Sequence, residues 1–537
     1  MKLGWFRSSA APRPAGADSH GEADRSPSAR AADVCFIVEG TYPFVMGGVS
    51  SWVHGLVRSH PELTFRIWHI AADVEAAARP HAYELPANVL GLHTVALRAD
   101  PVPRVSKPAG RSWWIERFDA LFGPVLSARG RVDEASAGRF ARACSAELRA
   151  GFHPIGADDL LRDEWLWERL TSRYSALAAR DSFSSFFWTW HNALEPLLSL
   201  IAAPVPPARC FHAVSTGYAG WVGARAAAER SAPLLLTEHG IYTKERRIEL
   251  GRATWIVDRL DARECPDGNA PYFRSWWVEH FTGMSSLAYA AATEVLTIHR
   301  GNTGLQLRDG AEARKLSVIP NGVDVEGIAA AVAAVRRDQP DRPFTVGFIG
   351  RITPIKDVIM LLDAAAIAAR SIPGLEVRVM GPSDEDAAYM ERCSAHVRRL
   401  GIERVVTFEG PVQVAEALAR VDVVVLTSIS EAQPLVILEA YAAGLPVVAT
   451  RVGAVPELLF GAPGEDAELG PSGIMTPIGA PWAAAQAWIE LSRSPELRAQ
   501  LGAAGAARVR RFYRGERMVA AYRALYHKYG AEAKGGR

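Results

Sequence analysis

Along its length the chain alternates short β-branched runs with longer stretches whose apolar residues recur at helical spacing. Short apolar runs bounded by turn formers suit strands buried on both faces, and the amphipathic stretches between them suit crossovers. In the first half the pattern predicts strands at residues 33–38, 64–70, 88–97, 210–214, 234–238 and 294–298. In the second half it predicts them at 345–349, 376–380, 405–409, 422–426 and 447–450. Such alternation implies an α/β protein with two parallel sheets and helical crossovers. Ligands of such sheets bind beyond the carboxyl ends of the strands.

The rhythm breaks at residues 100–203, where Trp113, Trp114, Trp165, Trp167, Trp188 and Trp190 fall mostly at helical spacings. We read this stretch as a helical insertion whose aromatics pack as core, because aromatic stripes on helices are usually core. An acceptor-sugar platform or a docking surface for membrane partners is the competing reading, and spacing does not separate the two. A chain of 537 residues exceeds the size at which one core stops growing, so two domains are expected. Residues 1–30, rich in Ala, Pro, Gly, Ser and charge, read as a disordered tail without the apolar stretch of a secretory signal. Residues 31–320 then form a first domain and 321–511 a second. Pro320-Asn321-Gly322-Val323-Asp324 is the crossing between them, followed by a polar helical stretch at 327–342.

Composition narrows the function. Lys plus Arg at 60 against Asp plus Glu at 59 leaves a net charge of +1, which gives no footprint for nucleic acid or an anionic membrane surface. Cys35, Cys144, Cys210, Cys265 and Cys393 are scattered and form no Cys-x-x-Cys pair, so neither a zinc site nor a disulfide scaffold is expected. No apolar run approaches the ~20 residues that span a bilayer. A cytoplasmic protein is the simplest reading.

Candidate chemistry concentrates at three strand ends. After the predicted strand ending near Leu426 comes Ser430-Glu431-Ala432-Gln433-Pro434-Leu435-Val436-Ile437-Leu438-Glu439-Ala440, with Pro434 suited to the first turn of a helix. Strand, loop and helix N-terminus aim free backbone N–H groups and the positive end of a helix dipole at one point, where a diphosphate fits. Glu431 and Glu439 only accept hydrogen bonds when ionised, so hydroxyls of a sugar and a ribose are natural partners. Taken alone, the two read as a solvated cap and an exposed helical residue. Upstream, Gly350-Arg351-Ile352-Thr353-Pro354-Ile355-Lys356 follows another predicted strand, with a helix expected to begin near Lys356. Arg351 offers a planar fork and Lys356 a mobile point charge for one anion, and together they can neutralise a departing diphosphate. Near the start, Gly47-Gly48 sits between the first strand and an amphipathic helix, able to take φ > 0 and to approach a ligand without a Cβ in the way.

These residues resemble the motifs of the large GT4 family of retaining glycosyltransferases. The resemblance assigns Glu431 to the transferred sugar, Glu439 to the ribose, and Arg351 and Lys356 to the diphosphate clamp. It also places Gly47, Gly48, Gly350, Leu435 and Val436 against the donor, with the loop Glu409-Gly410-Pro411-Val412 beside the base. Gln433-Pro434 departs from the family's aromatic-glycine pair, so one backbone donor is missing. The run from Glu39 to Trp52, with Thr237-Glu238-His239-Gly240-Ile241-Tyr242, is similar to the PelF-type glycosyltransferases of Pel exopolysaccharide synthesis, over nearly all of residues 33–530. There His239 sits at a strand end near the sugar.

The resemblance implies a GT-B architecture, two facing Rossmann-like doubly wound domains, with residues from about Phe512 to 530 returning to the first. It implies a cytoplasmic enzyme that moves a hexose or N-acetylhexosamine from a UDP-sugar to a growing exopolysaccharide. No metal and no cofactor are expected. Beyond donor and polysaccharide acceptor, the expected partners are inner-membrane exopolysaccharide synthase proteins, and no nucleic acid. Two other classes stay open: a catalytically silent nucleotide-sugar-binding scaffold of a membrane synthase, and an NAD-type dehydrogenase. The dehydrogenase lacks its Gly-x-Gly-x-x-Gly after the first strand.

Overall fold

Each of the eleven β-branched runs forms a strand. The computed structural model describes residues 30–98, 111–126, 130–145, 163–178, 181–253, 255–256, 272–336, 342–462 and 467–535. Residues 1–29 of the expected tail and Cys265 lie outside the described residues. The first sheet holds β1 (Ala32–Glu39), β2 (Phe65–Ala71), β3 (Val89–Ala96), β4 (Ala208–Ala213), β5 (Leu234–Glu238), β6 (Glu294–Thr297) and β7 (Leu316–Val318), in the order β3-β2-β1-β4-β5-β6-β7. The second holds β8 (Thr345–Ile349), β9 (Glu376–Met380), β10 (Val406–Gly410), β11 (Val423–Leu426), β12 (Val447–Thr450) and β13 (Gly473–Thr476), in the order β10-β9-β8-β11-β12-β13.

The second sheet pairs in parallel throughout, with Val424 opposite Gly347 on β8 and Val447 on β12. In the first, β3, β2, β1, β4 and β5 pair in parallel, and Phe36 lies opposite Ile67 on one side and His212 on the other. Both sheets are doubly wound. The order reverses between β1 and β4 and again between β8 and β11, and the carboxyl ends of those strands flank the crevice where such sheets bind ligands.

Burial follows the strand period of two. Val423 and Val425 of β11 face one apolar cluster of the second sheet, with Val346, Phe348 and Trp488, while Val424 and Leu426 face the other, with Ile437, Tyr441 and Val509. Helix Val358–Ala368 starts at Asp357, which is left-handed at φ 47° and accepts the Met360 N–H at 3.3 Å. The stretch expected to be a polar helix at 327–342 forms helix Val325–Arg336, and its Val325 and Val332 are buried.

By contact the chain divides into two compact units. The first holds the chain up to Leu296, then Leu305–Ser317 and the residues from Leu525 onward; the second holds Thr297–Gly304 and Val318–Ala524. Phe512 closes helix Pro495–Phe512 in the second unit, and the chain enters the first only at Leu525, inside helix Gly515–Gly535. Within the first unit Tyr526 bonds His212 at 2.9 Å and the Tyr529 hydroxyl donates to Glu294 at 2.5 Å.

Among the described residues four helices stand between β3 and β4, Arg111–Leu126, Glu134–Cys144, Glu164–Leu177 and Phe183–Ala202. Trp113, Trp114 and Trp190 join the core as expected, and Trp165 packs partly against it. Trp167 and Trp188 do not, remaining 44% and 52% exposed. Each stands two residues from a packed tryptophan, about 200° round the helix, so both of a pair cannot face one core. Among the described residues no helix is long and apolar enough to cross a membrane.

Candidate functional site

The second sheet brings together most of the expected site residues at its switch point. β8 ends at Ile349, and Gly350 donates its N–H to Met380 O at 2.9 Å. Gly381, at φ 147°, passes so close that an added Cβ would stand 2.1 Å from Gly350 O, so only glycine fits there. The chain turns through Pro354–Lys356 and is tied across to the loop after β11: Ile429 N donates to Ile355 O at 2.9 Å, and the Thr427 hydroxyl donates to Lys356 O at 2.8 Å. These bonds set Lys356 beside Glu431. Its ammonium donates to Glu431 Oε1 at 2.5 Å, the side chains being 19% and 12% exposed. The Ser428 hydroxyl donates to the same oxygen at 2.6 Å.

Arg351 points elsewhere. It pairs with Glu385 on the surface, both side chains about half exposed. The expected clamp of Arg351 with Lys356 is therefore not closed on one point: Lys356 lies with Glu431, Arg351 with Glu385.

Helix Leu435–Ala442 begins one residue later than Pro434 suggested, because Pro434, at φ −71° and ψ 115°, occupies the cap. Among the described residues no side chain caps this end, and the first-turn N–H groups of Leu435 and Val436 have no acceptor within the helix. Gln433 is buried and accepts the Asn321 N–H at 2.7 Å, which gives the departure from the family pattern a structural role. Glu439 follows one turn inside, half-buried, and burial raises its carboxyl to about 7. Behind Glu431 lies Gly453, at φ 49°, where an added Cβ would stand 2.2 Å from Glu431 O. Gly410, at φ 72°, sits at a register shift ending β10, and its carbonyl accepts the Gly381 N–H at 2.8 Å. Pro411 and Val412 follow, and Val412 packs against the core.

In the first unit Gly47 and Gly48 open helix Gly48–Ser59, which has no side-chain cap. Gly47 does not use positive φ; at 172° it is extended, and a Cβ on either glycine would meet nothing within 4 Å. The glycine that needs its conformational freedom is Gly40, at φ 59° immediately after β1, a position the Gly-Gly signal masked.

His239 stands at the carboxyl end of β5, its ring edge-on to Trp52 of that helix at 4.6 Å. Burial holds it neutral, with its pKa lowered to about 4, and its Nε2 has no partner among the described residues. A neutral imidazole with a spare nitrogen suits a sugar hydroxyl. Two carboxylates stand at strand ends of the same sheet, buried Glu238 on β5 and half-buried Glu39 on β1. Glu238 accepts from Tyr289 at 2.5 Å, Gln306 at 3.0 Å and Thr216 at 3.1 Å, and burial raises its pKa. Glu39, also raised by burial, accepts the backbone N–H groups of Tyr218 and Ala219 at the start of helix Tyr218–Arg230. A carboxylate thus occupies the helix N-terminus that follows β4. The sequence motifs included both Glu39 and Glu238 but gave neither a role; strand-end Glu next to Gly or His was the available signal.

Doubly wound sheets of seven and six strands, with cation, carboxylates and helix N-terminus gathered at the switch point of the second, define a protein of GT-B fold. The chain belongs to the family described as "Domain of unknown function (DUF3492)", which matches residues 32–314, more than half of it. Residues 343–494 match a second family, "Glycosyl transferases group 1". A D-inositol 3-phosphate glycosyltransferase of Segniliparus rotundus is 34% identical over 227 residues, 40% of this chain and 48% of that one. The chain thus spans about half the length of the curated relatives it matches. Among solved structures, Anabaena Alr3699/HepE in complex with UDP is 16% identical over 92% of this chain and 99% of its own, with a TM-score of 0.56. A sucrose-phosphate synthase from Thermosynechococcus elongatus is 17% identical over 93% and 99%, with a TM-score of 0.55. These likenesses establish the fold.

Proposed function

We propose that the protein is a retaining glycosyltransferase that moves a sugar from a UDP-sugar to a growing exopolysaccharide of the Pel type, in the cytoplasm and held near the inner membrane through partners. The observation that carries the transfer reading is the Lys356–Glu431 pair beside the free N-terminus of helix Leu435–Ala442, with Glu439 one turn inside. The pair leaves room for a donor. Lys356 has three N–H bonds and gives one to Glu431, and Glu431 Oε2 takes none from the described residues. The ammonium can therefore also reach a β-phosphate oxygen while Oε2 accepts a sugar hydroxyl. Leu435 and Val436 N–H groups suit the diphosphate, and Glu439 a ribose hydroxyl. The UDP named in the HepE complex and the glycosyltransferase names of the curated relatives support a nucleotide-sugar donor. The exopolysaccharide acceptor rests on the PelF-type motifs around Gly47, Gly48 and His239.

In the reaction, the bond from the sugar C1 to the β-phosphate oxygen breaks and a bond from C1 to the acceptor oxygen forms on the same face. The acceptor proton passes to the departing phosphate oxygen, and Lys356 and the helix N-terminus stabilise the charge that develops there. Titration calorimetry of the metal-free protein with UDP, ADP, GDP and their sugars tests the donor: UDP binds in preference, and equal or absent binding of all three overturns the reading. Steady UDP release from the preferred sugar separates an enzyme from a silent scaffold.

A further inference from the structure

The first unit carries a solvent-open cavity of about 440 Å³ that the donor chemistry does not use, lined by Ser51, His54, Gly55, Arg58, Ser59 and Tyr83. Its floor is one face of helix Gly48–Ser59, and its wall is the segment leading into β3. Three aromatic rings are locked together beside it. Tyr42, wholly buried, bonds His54 Nδ1 at 3.2 Å; Tyr83 lies 5.0 Å from the His54 ring and 5.5 Å from that of Tyr42; and Tyr83 shares a 2.9 Å hydroxyl bond with Ser51. Arg58 lies exposed at the end of this face and forms no ion pair with the described residues. Three and six residues separate Ser51 and His54 from Gly48, so they stand about 5 and 9 Å along the helix from the glycine loop.

A fixed phenol ring, hydroxyls and an imidazole are the groups that hold a sugar ring, and an unpaired guanidinium adds a planar fork for carboxylate or phosphate. We propose that this cavity binds an anion-bearing sugar, with Arg58 on the anion and Tyr83 against the ring. The proposal goes beyond the glycosyltransferase reading, because the hexose or N-acetylhexosamine units of that acceptor carry no anion.

Saturation-transfer NMR on the full chain, with UDP in excess to fill any nucleotide site, tests it with D-glucuronate, D-glucose 6-phosphate and neutral D-glucose. One or both anionic sugars bind at least about tenfold more tightly than glucose, and Arg58→Gln weakens them by roughly tenfold, the loss of one charge-assisted hydrogen bond. Tyr83→Ala weakens the same ligands. Preference between the two probes tells a carboxylate from a phosphate ester. Equal binding of glucose, no binding of either anion, or full affinity in Arg58→Gln overturns the proposal. UDP calorimetry on the same samples keeps the two readings apart: if UDP fails to bind while glucuronate binding depends on Arg58, the cavity stands and the donor assignment falls.

Discussion

At the scale of single residues, the two cations of the second unit start from different states, and that difference is testable. Among the described residues Arg351 is engaged only in an exposed ion pair with Glu385, a contact of the kind worth about 0–1 kcal/mol, so its release toward a diphosphate costs little. Lys356 already stands at the carboxylate end of the site. Arg351→Ala and Lys356→Ala should each weaken UDP binding by roughly 1.5–3 kcal/mol in calorimetry with the fold intact; unchanged affinity in both would remove them from the donor site. The carboxylates should separate. Glu439→Ala weakens UDP and UDP-sugar alike, whereas Glu431→Ala spares UDP and lowers transfer, and equal loss of UDP affinity from both changes reverses the roles. Glu439 also predicts a pH signature. Its folded pKa of about 7 lies above the ordinary 4.5, so the folded chain binds more protons between those values and stability falls as pH rises through that window. A ribose hydroxyl donating to Glu439 favours the ionised form, so binding releases protons below pH 7. Calorimetry with a UDP-sugar in buffers of different ionisation enthalpy near pH 6.5 reads this, since a UDP-sugar lacks the terminal phosphate group that titrates near 6. Glu439→Gln should abolish the release; its persistence would place the proton elsewhere.

Elements were legible where they are buried on both faces, and illegible where their identity depends on a distant neighbour. The fully buried run of β11 is apolar throughout, and that pattern names it a strand without help from the rest of the chain. β7 and β13 were missed. They are edge strands of three and four residues, partly exposed, without the continuous apolar run that marks an inner strand. The Glu431 and Lys356 motifs were legible because strand, turn and helix start are local. Arg351 with Glu385 and Gln433 with Asn321 were not, since 34 and 112 residues separate the partners. Gly381 and Gly453 belong to the same class: each is glycine because a remote backbone passes beside it. Gly453→Ala should therefore destabilise the second unit and shift the Glu431 loop. Gly444→Ala is the control, because Gly444 has φ 69° with nothing within 4 Å of an added Cβ and pays only for its conformation. Urea unfolding should show Gly453→Ala to be the more costly by about 1–3 kcal/mol, with UDP-sugar binding weakened in that variant alone. Equal costs would mean that the loop yields freely and Gly453 does not position Glu431.

For the whole molecule, a net charge of +1 and two units of comparable sheet size mean that any nucleotide is held by local groups rather than by a general field. Those groups are cations and helix N–H groups supplied by the chain, which is the chemistry a divalent ion provides in other transferases. We expect catalysis to be independent of added metal. The measurement is UDP release from the preferred UDP-sugar, with acceptor or by slower hydrolysis, in excess EDTA and after adding back Mg²⁺ or Mn²⁺. Rates should agree within about tenfold, or ~1.4 kcal/mol of barrier. A larger loss restored by either ion would transfer to the ion the leaving-group role now given to Lys356 and the helix N-terminus, and Lys356→Ala would then lose less than that role requires. Release that is absent in every condition, from protein that still binds UDP, would instead make the molecule a nucleotide-sugar-binding scaffold, with Lys356, Glu431 and Glu439 kept for binding alone.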